Sequence, residues 1–316
     1  MKYIFVRTFK KSSYIFLFLV CFHVSSWAQI SADESSGYVM SEDGEGIPFA
    51  AIYLKNKNIG IIADIDGRYI LPSSILSETG DTLIFSSIGY ESQSIPVSVF
   101  NEKVNKNIVL RTNYVQLPEV VVTPRSRRPR DYGMFHLRTA SVYFGGEPSS
   151  RIMVFVENTD NVHKLIQSIN IRTRFSNAEI QKLRVFFAQK TDDGFQIINV
   201  ADEDIFITDI SRSRIRHGVS NYYIPFPEEG IYVGIEIIGE ANVVQDRTRR
   251  LGFAIRGTTN ANKPNTWFFK NEVWVQHPVE TVEEIEKELE GVPRAFRRMI
   301  MNTIFNSNAM IGITAH

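Results

Sequence analysis

Short apolar runs separated by turn residues fill most of the chain beyond residue 36. In the first half such runs begin at Ala50, Arg68 and Thr82, and Gly, Asp, Asn or Pro stands between them. They recur roughly every 10 to 15 residues, which is typical of an all-β sandwich or barrel. The pattern therefore predicts a mostly β fold with short antiparallel strands.

The pair Asp66-Gly67 separates two of these apolar runs. Asp-Gly supplies the positive φ angle that a tight turn needs, so a hairpin turn is predicted here. Together with Asp64 the pair also resembles the start of a calcium loop, but the remaining oxygen ligands and the terminal Glu are missing. We therefore interpret the segment as a turn.

The second half, from residue 150 to 277, again has the pattern of strands. Ile169, Ile171, Thr173 and Phe175 alternate with polar residues that include Arg172 and Arg174. Alternation of this kind places apolar side chains on one face of a strand and charged side chains on the other. We expect a second antiparallel sandwich, similar to a jelly roll.

Two segments lack this strand pattern. Residues 124–149 begin with a run rich in arginine and proline, which predicts a stiff, solvated linker between domains. Residues 278–316 begin with a capping box at Thr281, and the apolar spacing that follows predicts a helical hairpin. That hairpin either packs on the sandwich or binds a partner.

Charge and the N-terminal residues limit the possible functions. The chain has 316 residues and a formal net charge of zero, with 35 basic and 35 acidic residues. Residues 1–28 read as a signal peptide, with an apolar run after Lys11 and small residues before a cut at Ala28. Four of the 35 basic residues lie in this segment, so the mature chain keeps 31 and is mildly acidic. We expect an exported protein of the periplasm, outer membrane or cell surface that does not bind nucleic acid.

The single cysteine, Cys21, lies within the predicted signal peptide. The mature chain therefore has no disulfide, no thiolate nucleophile and no cysteine-ligated metal. The histidines are scattered and lack the spacing of a zinc site. We predict no catalytic residues, no metal site and no cofactor.

Several ordered motifs in the first half point to a known family. They are Gly46-Ile-Pro-Phe-Ala50, Gly60 to Tyr69 with its Asp66-Gly67 pair, Asp81-Thr-Leu to Gly89-Tyr90, and Leu117-Pro-Glu-Val-Val-Val122. Over residues 36–123 the chain resembles the carboxypeptidase-regulatory-like domain family. The resemblance implies a seven-stranded, transthyretin-like β-sandwich without catalytic residues of its own.

The same resemblance bears on location and partners. The family is common in secreted and outer-membrane proteins of Bacteroidetes-type bacteria, including the N-terminus of TonB-dependent receptors. It implies an association with the outer membrane. The second half is only weakly similar to the domains that accompany this module elsewhere, and that similarity implies a fold without a settled activity.

Two groups of residues are candidates for ligand binding. Arg212, Arg214 and Arg216 alternate, so they form either a basic stripe for an anionic glycan or lipid, or a charged strand edge that prevents aggregation. Trp267, Phe269 and Trp274 form either a platform on which a sugar stacks, or part of the core.

Our leading hypothesis is a non-catalytic envelope protein whose partner is another envelope protein or a glycan. One alternative is a carbohydrate-binding component of a glycan-uptake system, which an exposed aromatic platform would favour. The other is a hydrolase with a site built from loops, which converging carboxylates with shifted pKa values would favour.

Overall fold

A computed structural model describes most of the chain beyond the predicted signal peptide. The described residues are 34–57, 59–116, 128–135, 137, 143–144, 149–174, 180–199, 204–239, 245–246, 254–259, 265–270, 272–278, 282–291, 293–294, 297 and 307–316. The predicted signal peptide lies outside them. Among the described residues no helix is both long and apolar enough to cross a membrane. The chain is mostly β, as the sequence pattern predicts.

The first module is built from seven short strands and two short helices. In chain order these are β1 (Ser35–Met40), β2 (Ala51–Leu54), β3 (Ile59–Ile62), β4 (Arg68–Leu71), α1 (Ser73–Leu76), β5 (Thr82–Ser86), β6 (Gln93–Pro96), α2 (Val97–Glu102) and β7 (Ile108–Val109). One sheet has the order β4-β1-β7, and the other contains β3-β2-β5-β6. The seven strands agree with the number that the family resemblance implies.

The core of the first module is centred on Phe85, which is fully buried between the two sheets. Its ring centroid lies 5.7 Å from that of Tyr69 and 5.9 Å from that of Phe100. Rings at this separation add favourable edge and offset contacts to the hydrophobic gain of burial. Strand β5 and helix α2 are therefore held together through aromatic packing.

A turn at Asp66-Gly67 is confirmed, but the prediction of a hairpin is wrong, because the turn connects β3 and β4, which belong to different sheets. Gly67 has a φ of 75°, and a Cβ atom added there would lie 2.5 Å from the carbonyl oxygen of Val39. The Asp64 carboxylate accepts hydrogen bonds from the backbone N–H groups of Asp66 and Arg68, at 3.0 and 2.8 Å. The carboxylate thus stabilises the turn, which is a role that needs no metal.

The second module is a sandwich of two larger sheets. Its first group of strands is β8 (Tyr114–Gln116), β9 (Arg130–Gly133), β10 (Tyr143–Phe144), β11 (Arg151–Val156), β12 (Lys164–Arg174), β13 (Ile180–Thr191), β14 (Gly194–Asn199) and β15 (Ile205–Ile207). The rest is β16 (Arg214–Gly218), β17 (Pro225–Phe226), β18 (Ile231–Gly239), β19 (Gln245–Asp246), β20 (Ala254–Thr258), β21 (Thr266–Lys270), β22 (Val273–Gln276), α3 (Val282–Glu288), β23 (Asn308–Ala309) and β24 (Ile311–Ala315). A 3-10 turn spans Ser220–Tyr222.

We name the two sheets of this sandwich the front sheet and the back sheet. The front sheet has the order β22-β21-β11-β18-β13-β14-β8, and β15 also pairs with β13. The back sheet has the order β10-β20-β12-β24-β9, and β16, β17 and β23 pair with its strands. Apolar side chains from both sheets meet in one buried core.

The alternation predicted along β12 is confirmed. Ile169 and Ile171 are fully buried in the core, whereas Arg172 is half-buried and Arg174 is exposed on the opposite face. Strand β18 alternates in the same way, with Val233 and Ile235 facing that core. The period of two in the sequence therefore identifies the inner face of each sheet.

The predicted linker, residues 124–149, contributes strands to the sandwich, and the prediction is wrong there. Strand β9 pairs with β24 over four residues, and β10 pairs with β20. Tyr132 of β9 is buried, and its ring centroid lies 5.1 Å from that of Phe226. The two residues before it, Arg130 and Asp131, are charged, so a strand with one buried face resembles a linker in sequence.

The C-terminal prediction for residues 278–316 is confirmed in part. A helix, α3, does follow the capping box. The predicted second helix is described only at Arg294 and Arg297, which are both helical, and its other residues lie outside the described part of the chain. The end of the chain is β24, which lies between β12 and β9 in the back sheet and is wholly buried. A helical end is therefore wrong for residues 311–315, whose β-branched side chains favour a strand.

Each module contributes a strand to a sheet of the other module. Strand β8 lies within residues 36–123, the range predicted for the first module, but it runs parallel to β14 at one end of the front sheet. Strand β19 pairs with β3 and so adds a strand from the second half to a sheet of the first module. The modules are therefore joined by backbone hydrogen bonds as well as by the chain that connects them.

A candidate ligand-binding cleft between the modules

Three charged residues stand side by side on the outer face of the front sheet. Arg151 and Arg184 lie directly opposite Glu236 on the neighbouring strands β11 and β13. Arg151 Nε donates to Glu236 Oε1 at 2.9 Å, and an Arg184 terminal nitrogen donates to Glu236 Oε2 at 2.8 Å. Each oxygen of the carboxylate therefore accepts from a different arginine, which is a strong form of hydrogen bond.

This charged triad, Arg151–Glu236–Arg184, is covered by the first module. All three side chains are buried, with exposed fractions of 5%, 0% and 1% in that order. Arg151 also donates to Ser86 Oγ at 3.0 Å, and Arg184 donates to Ser87 Oγ at 3.2 Å. These hydrogen bonds connect the front sheet to the end of β5 and to the loop that follows it.

Arg184 has two further contacts that fix its position. One terminal nitrogen donates to the carbonyl oxygen of Pro48 in the first module. Its Nε lies 3.1 Å from Asp204 Oδ2, a close ion pair that lacks hydrogen-bond alignment. Burial raises the pKa of Asp204, and Glu236 acts in the same direction, whereas the charges of Arg184 and Lys182 oppose the shift.

An apolar cluster continues the contact between modules beside the triad. Phe49 and Ile62 of the first module are buried against Ile238 of β18. The ring of Phe206 packs edge-on to Phe49, with a centroid separation of 5.5 Å. The Lys182 ammonium lies over both rings, at 3.9 and 4.6 Å, in a cation–π arrangement. Burial, and then the nearby Arg184, lower the pKa of Lys182.

Beyond the triad the front sheet is only partly covered, and a cleft of about 600 Å³ opens between the modules. One wall is the segment 87–92 of the first module, together with Asn113. The floor is the outer face of the front sheet. Four aromatic residues line this floor, and each keeps part of its surface in solvent: Phe195, Trp267, Phe269 and Trp274.

The aromatic floor is held in place by ring-to-ring contacts. Phe195 packs edge-on against Trp267 and Trp274, with centroid separations of 4.7 and 6.2 Å. Phe269 packs against Trp274 at 5.3 Å. Below them the Phe186 ring covers Gly234, where an added Cβ atom would lie 2.1 Å from the ring. A glycine at this position lets the phenylalanine lie flat on the sheet and support Trp274, 5.7 Å away.

Polar groups surround the aromatic floor. Lys190 and Asp193 come from the β13–β14 hairpin, Glu272 comes from the β21–β22 turn, and Glu91 and Asn113 come from the opposite wall. The Lys190 ammonium lies 5.7 Å from the Trp267 ring centroid. A partly exposed aromatic surface beside hydrogen-bonding groups of both kinds is suited to a ligand that is apolar on one face and polar at its edges.

The sequence singled out three of the cleft residues. Trp267 and Phe269 lie on the outer face of β21, and Trp274 lies opposite Phe269 on β22. The structure brings them together on a partly exposed surface rather than in the core. The sequence did not indicate Phe195 or the segment 87–92 as part of the same site, because neither belongs to the hairpin of Trp267 and Trp274. A weak signal for Phe195 was its place directly after the Asp-Gly turn at residues 193–194.

The predicted arginine stripe lies elsewhere, on the back sheet. Arg214 and Arg216 are exposed on the same face of β16, whereas Arg212 precedes the strand. Arg212 Nε lies 3.2 Å from Asp209 Oδ2, and Arg216 forms an ion pair with Asp131 at 3.1 Å. The three residues therefore do not form one uniform stripe, and they are not part of the cleft.

Within the described ranges, no group of three or more His, Asp or Glu side chains is arranged to hold a metal ion. The acidic group whose pKa is raised, Asp204, faces Arg184 and does not line the cleft. His163 contacts Glu228 at 3.2 Å on an exposed surface.

Comparison with known proteins identifies the first module. Residues 35–122 match the CarboxypepD_reg-like domain family, which confirms the resemblance found in the sequence. The chain is 35% identical over 92 residues to TonB-dependent receptor P39 of Formosa agariphila, and 29% identical over 117 residues to TonB-dependent receptor SusC of Bacteroides thetaiotaomicron. These matches cover 28% and 36% of this chain but only 8% and 11% of the receptors.

One solved structure has a partial likeness to the whole chain. It contains the cysteine protease and lectin-like domains of Cwp84, a surface layer associated protein of Clostridium difficile. The likeness covers 90% of this chain and 58% of that one, with 11% sequence identity and a TM-score of 0.34.

Proposed function

We propose that this chain is an exported, non-catalytic protein of the cell envelope that binds a carbohydrate in the cleft between its two modules. The observation that carries the proposal is the aromatic floor of Phe195, Trp267, Phe269 and Trp274. Sugars have an apolar face of C–H groups and a rim of hydroxyl groups. Such a ligand can stack on a tryptophan ring while its hydroxyl groups bond to the polar rim of the cleft.

The charges around the cleft favour a neutral saccharide. Arg151 and Lys190 are basic, and Glu91, Asp193 and Glu272 are acidic, so neither sign dominates. Arg151 already donates to Glu236 and Ser86 and is covered by the first module. An anionic sugar would therefore lie near three carboxylates, and Lys190 would be the one cation able to contact it. The net repulsion would weaken its binding.

The envelope location rests on two lines of support. The chain begins with a segment that has the features of a signal peptide, and the first module belongs to a family that also occurs in TonB-dependent receptors. We propose an association with the outer membrane and with a receptor of that kind.

Titration calorimetry with neutral oligosaccharides tests the carbohydrate proposal. We expect Trp267→Ala and Trp274→Ala each to weaken binding about tenfold, which corresponds to about 1.4 kcal/mol, because each removes a stacking surface. Tyr223→Ala is the matched control, since Tyr223 is 73% exposed and lies outside the cleft. Equal affinities for wild type and both tryptophan variants would contradict the proposal.

A second candidate ligand is another envelope protein. The observation that favours it is β22, which lies at the end of the front sheet and has Val273 56% exposed. An extended segment of a partner can add to such an edge through backbone hydrogen bonds.

A further inference from the structure

Four arginines lie together on the outer face of the back sheet, on the opposite side of the sandwich from the cleft. Arg172 and Arg174 are two residues apart on β12, Arg214 lies directly opposite Arg172 on β16, and Arg256 lies on β20. We call this group the arginine cluster. Directly opposed positions on neighbouring strands have Cβ atoms about 5 Å apart, and like charges placed there destabilise the sheet.

The arginine cluster has no counter-charge among the described side chains. Within the residues that the structure describes, no carboxylate forms an ion pair with any of its four members, although the neighbouring Arg212 and Arg216 each pair with an aspartate. Arg172 and Arg256 instead donate from Nε to the carbonyl oxygens of Phe135 and Thr173, both at 3.1 Å. These bonds fix the two side chains and leave their terminal nitrogens for a ligand.

The pKa of Arg172 reflects its burial and the repulsion between the positive charges of the cluster. Burial lowers the pKa of Arg172, and the charges of Arg214 and Arg256 lower it further. Arg174 and Arg214 are exposed. Unpaired arginines held close together are unfavourable in the free protein, and an anion that bridges them would remove that cost.

An aromatic ring lies beside the cluster. Tyr143 on β10 is 39% exposed, and the guanidinium carbons of Arg174 and Arg256 lie 5.0 and 5.9 Å from its ring centroid. Stacking on the ring orders two long side chains that would otherwise be mobile. The cluster is therefore a prearranged set of planar donors, which suits oxygen atoms on a tetrahedral centre.

We propose that the arginine cluster binds the sulfate or phosphate groups of an anionic polysaccharide. The chemistry common to both groups is a tetrahedral centre with several negatively charged oxygens, which a guanidinium contacts through two parallel N–H bonds. Residues two apart on a strand are about 7 Å from each other, so the cluster is wide enough for two such groups. The site is separate from the cleft and does not depend on the carbohydrate proposal made for it.

The test uses dextran sulfate and long-chain polyphosphate as probes, with uncharged dextran as the reference. The variant Arg174→Gln/Arg214→Gln removes two unpaired members of the cluster. The matched control Arg212→Gln/Arg216→Gln removes the same charge from arginines that are already paired. We expect the first variant to weaken binding about tenfold or more and the control to change it much less. Dextran should bind to none of them through this surface.

Two further readouts separate recognition from folding and from simple charge. The Arg174→Gln/Arg214→Gln variant should have a thermal midpoint equal to or above that of wild type, since it relieves repulsion. Arg174→Lys/Arg214→Lys keeps the charge but loses the paired N–H bonds, and we expect it to bind less tightly than wild type. A preference for one probe identifies the group as sulfate or phosphate. No binding of either probe, or equal losses in the two glutamine variants, would overturn the proposal.

Discussion

Glu236→Gln is expected to lower the free energy of unfolding by about 3 to 5 kcal/mol, because it leaves buried arginine charge without its partner. The glutamine keeps the shape of the side chain but carries no charge. Its amide nitrogen would also face the N–H groups of Arg151 or Arg184, so a donor would meet a donor. Since Glu236 is wholly buried, water cannot replace the lost acceptor.

Chemical denaturation of the wild type and of two variants measures this effect. Glu229→Gln is the matched control, because it makes the same change on an exposed loop, and we expect its unfolding free energy to stay within about 0.5 kcal/mol of wild type. The Glu236→Gln variant should also expose the contact between the modules to limited proteolysis. If both variants unfold at the same denaturant concentration as wild type, the triad does not hold the modules together.

Ile313→Ala is expected to lower the stability of the second module by about 2 to 5 kcal/mol. Ile313 is fully buried in the core of the sandwich, on a strand that pairs with β12 on one side and β9 on the other. Removing its side chain leaves a cavity between two sheets that cannot easily close, since both neighbours of β24 are fixed by their own pairings.

Thermal unfolding followed by circular dichroism provides the measurement. Val104→Ala is the control, because Val104 is fully exposed, and we expect no measurable change there. A change of less than about 0.5 kcal/mol for Ile313→Ala would contradict the placement of β24 in the middle of the back sheet.

Local patterns in the sequence were sufficient to predict much of the fold. The turn at Gly67 and the alternation along β12 depend on residues that are close in the chain, and both are confirmed. The family motifs were also recognisable in the sequence, because all of them lie within the first module. Propensity and period are local properties, and they predict elements well where neighbouring strands are also neighbours in sequence.

The errors lie where strands pair over long distances. Strand β24 pairs with β12 and β9, which both come more than 100 residues earlier, and β9 becomes a strand only because β24 lies beside it. Nothing near Ile311 indicates those partners. Helical spacing in the preceding residues suggested that the helix would continue, and tertiary pairing overrides that local preference.

The candidate cleft was also predictable only in part. Trp267, Phe269 and Trp274 share a hairpin, so their clustering followed from spacing. The clustering of the charged triad could not be predicted from spacing, because its members lie on three separate strands. Its one signal was Glu236, a charged residue inside an otherwise apolar run, and such a residue in a buried strand requires a partner.

The most direct test of the cleft as a carbohydrate site is a fluorescence titration of protein that begins at Gln29. The chain has three tryptophans, and removal of Trp27 leaves only Trp267 and Trp274, both of which line the cleft. All tryptophan emission then reports on the proposed site. The account predicts that a neutral oligosaccharide shifts this emission in a saturable way and protects it from quenching by iodide. Emission and quenching that stay unchanged, while calorimetry detects sugar binding, would place the carbohydrate site elsewhere and contradict the account.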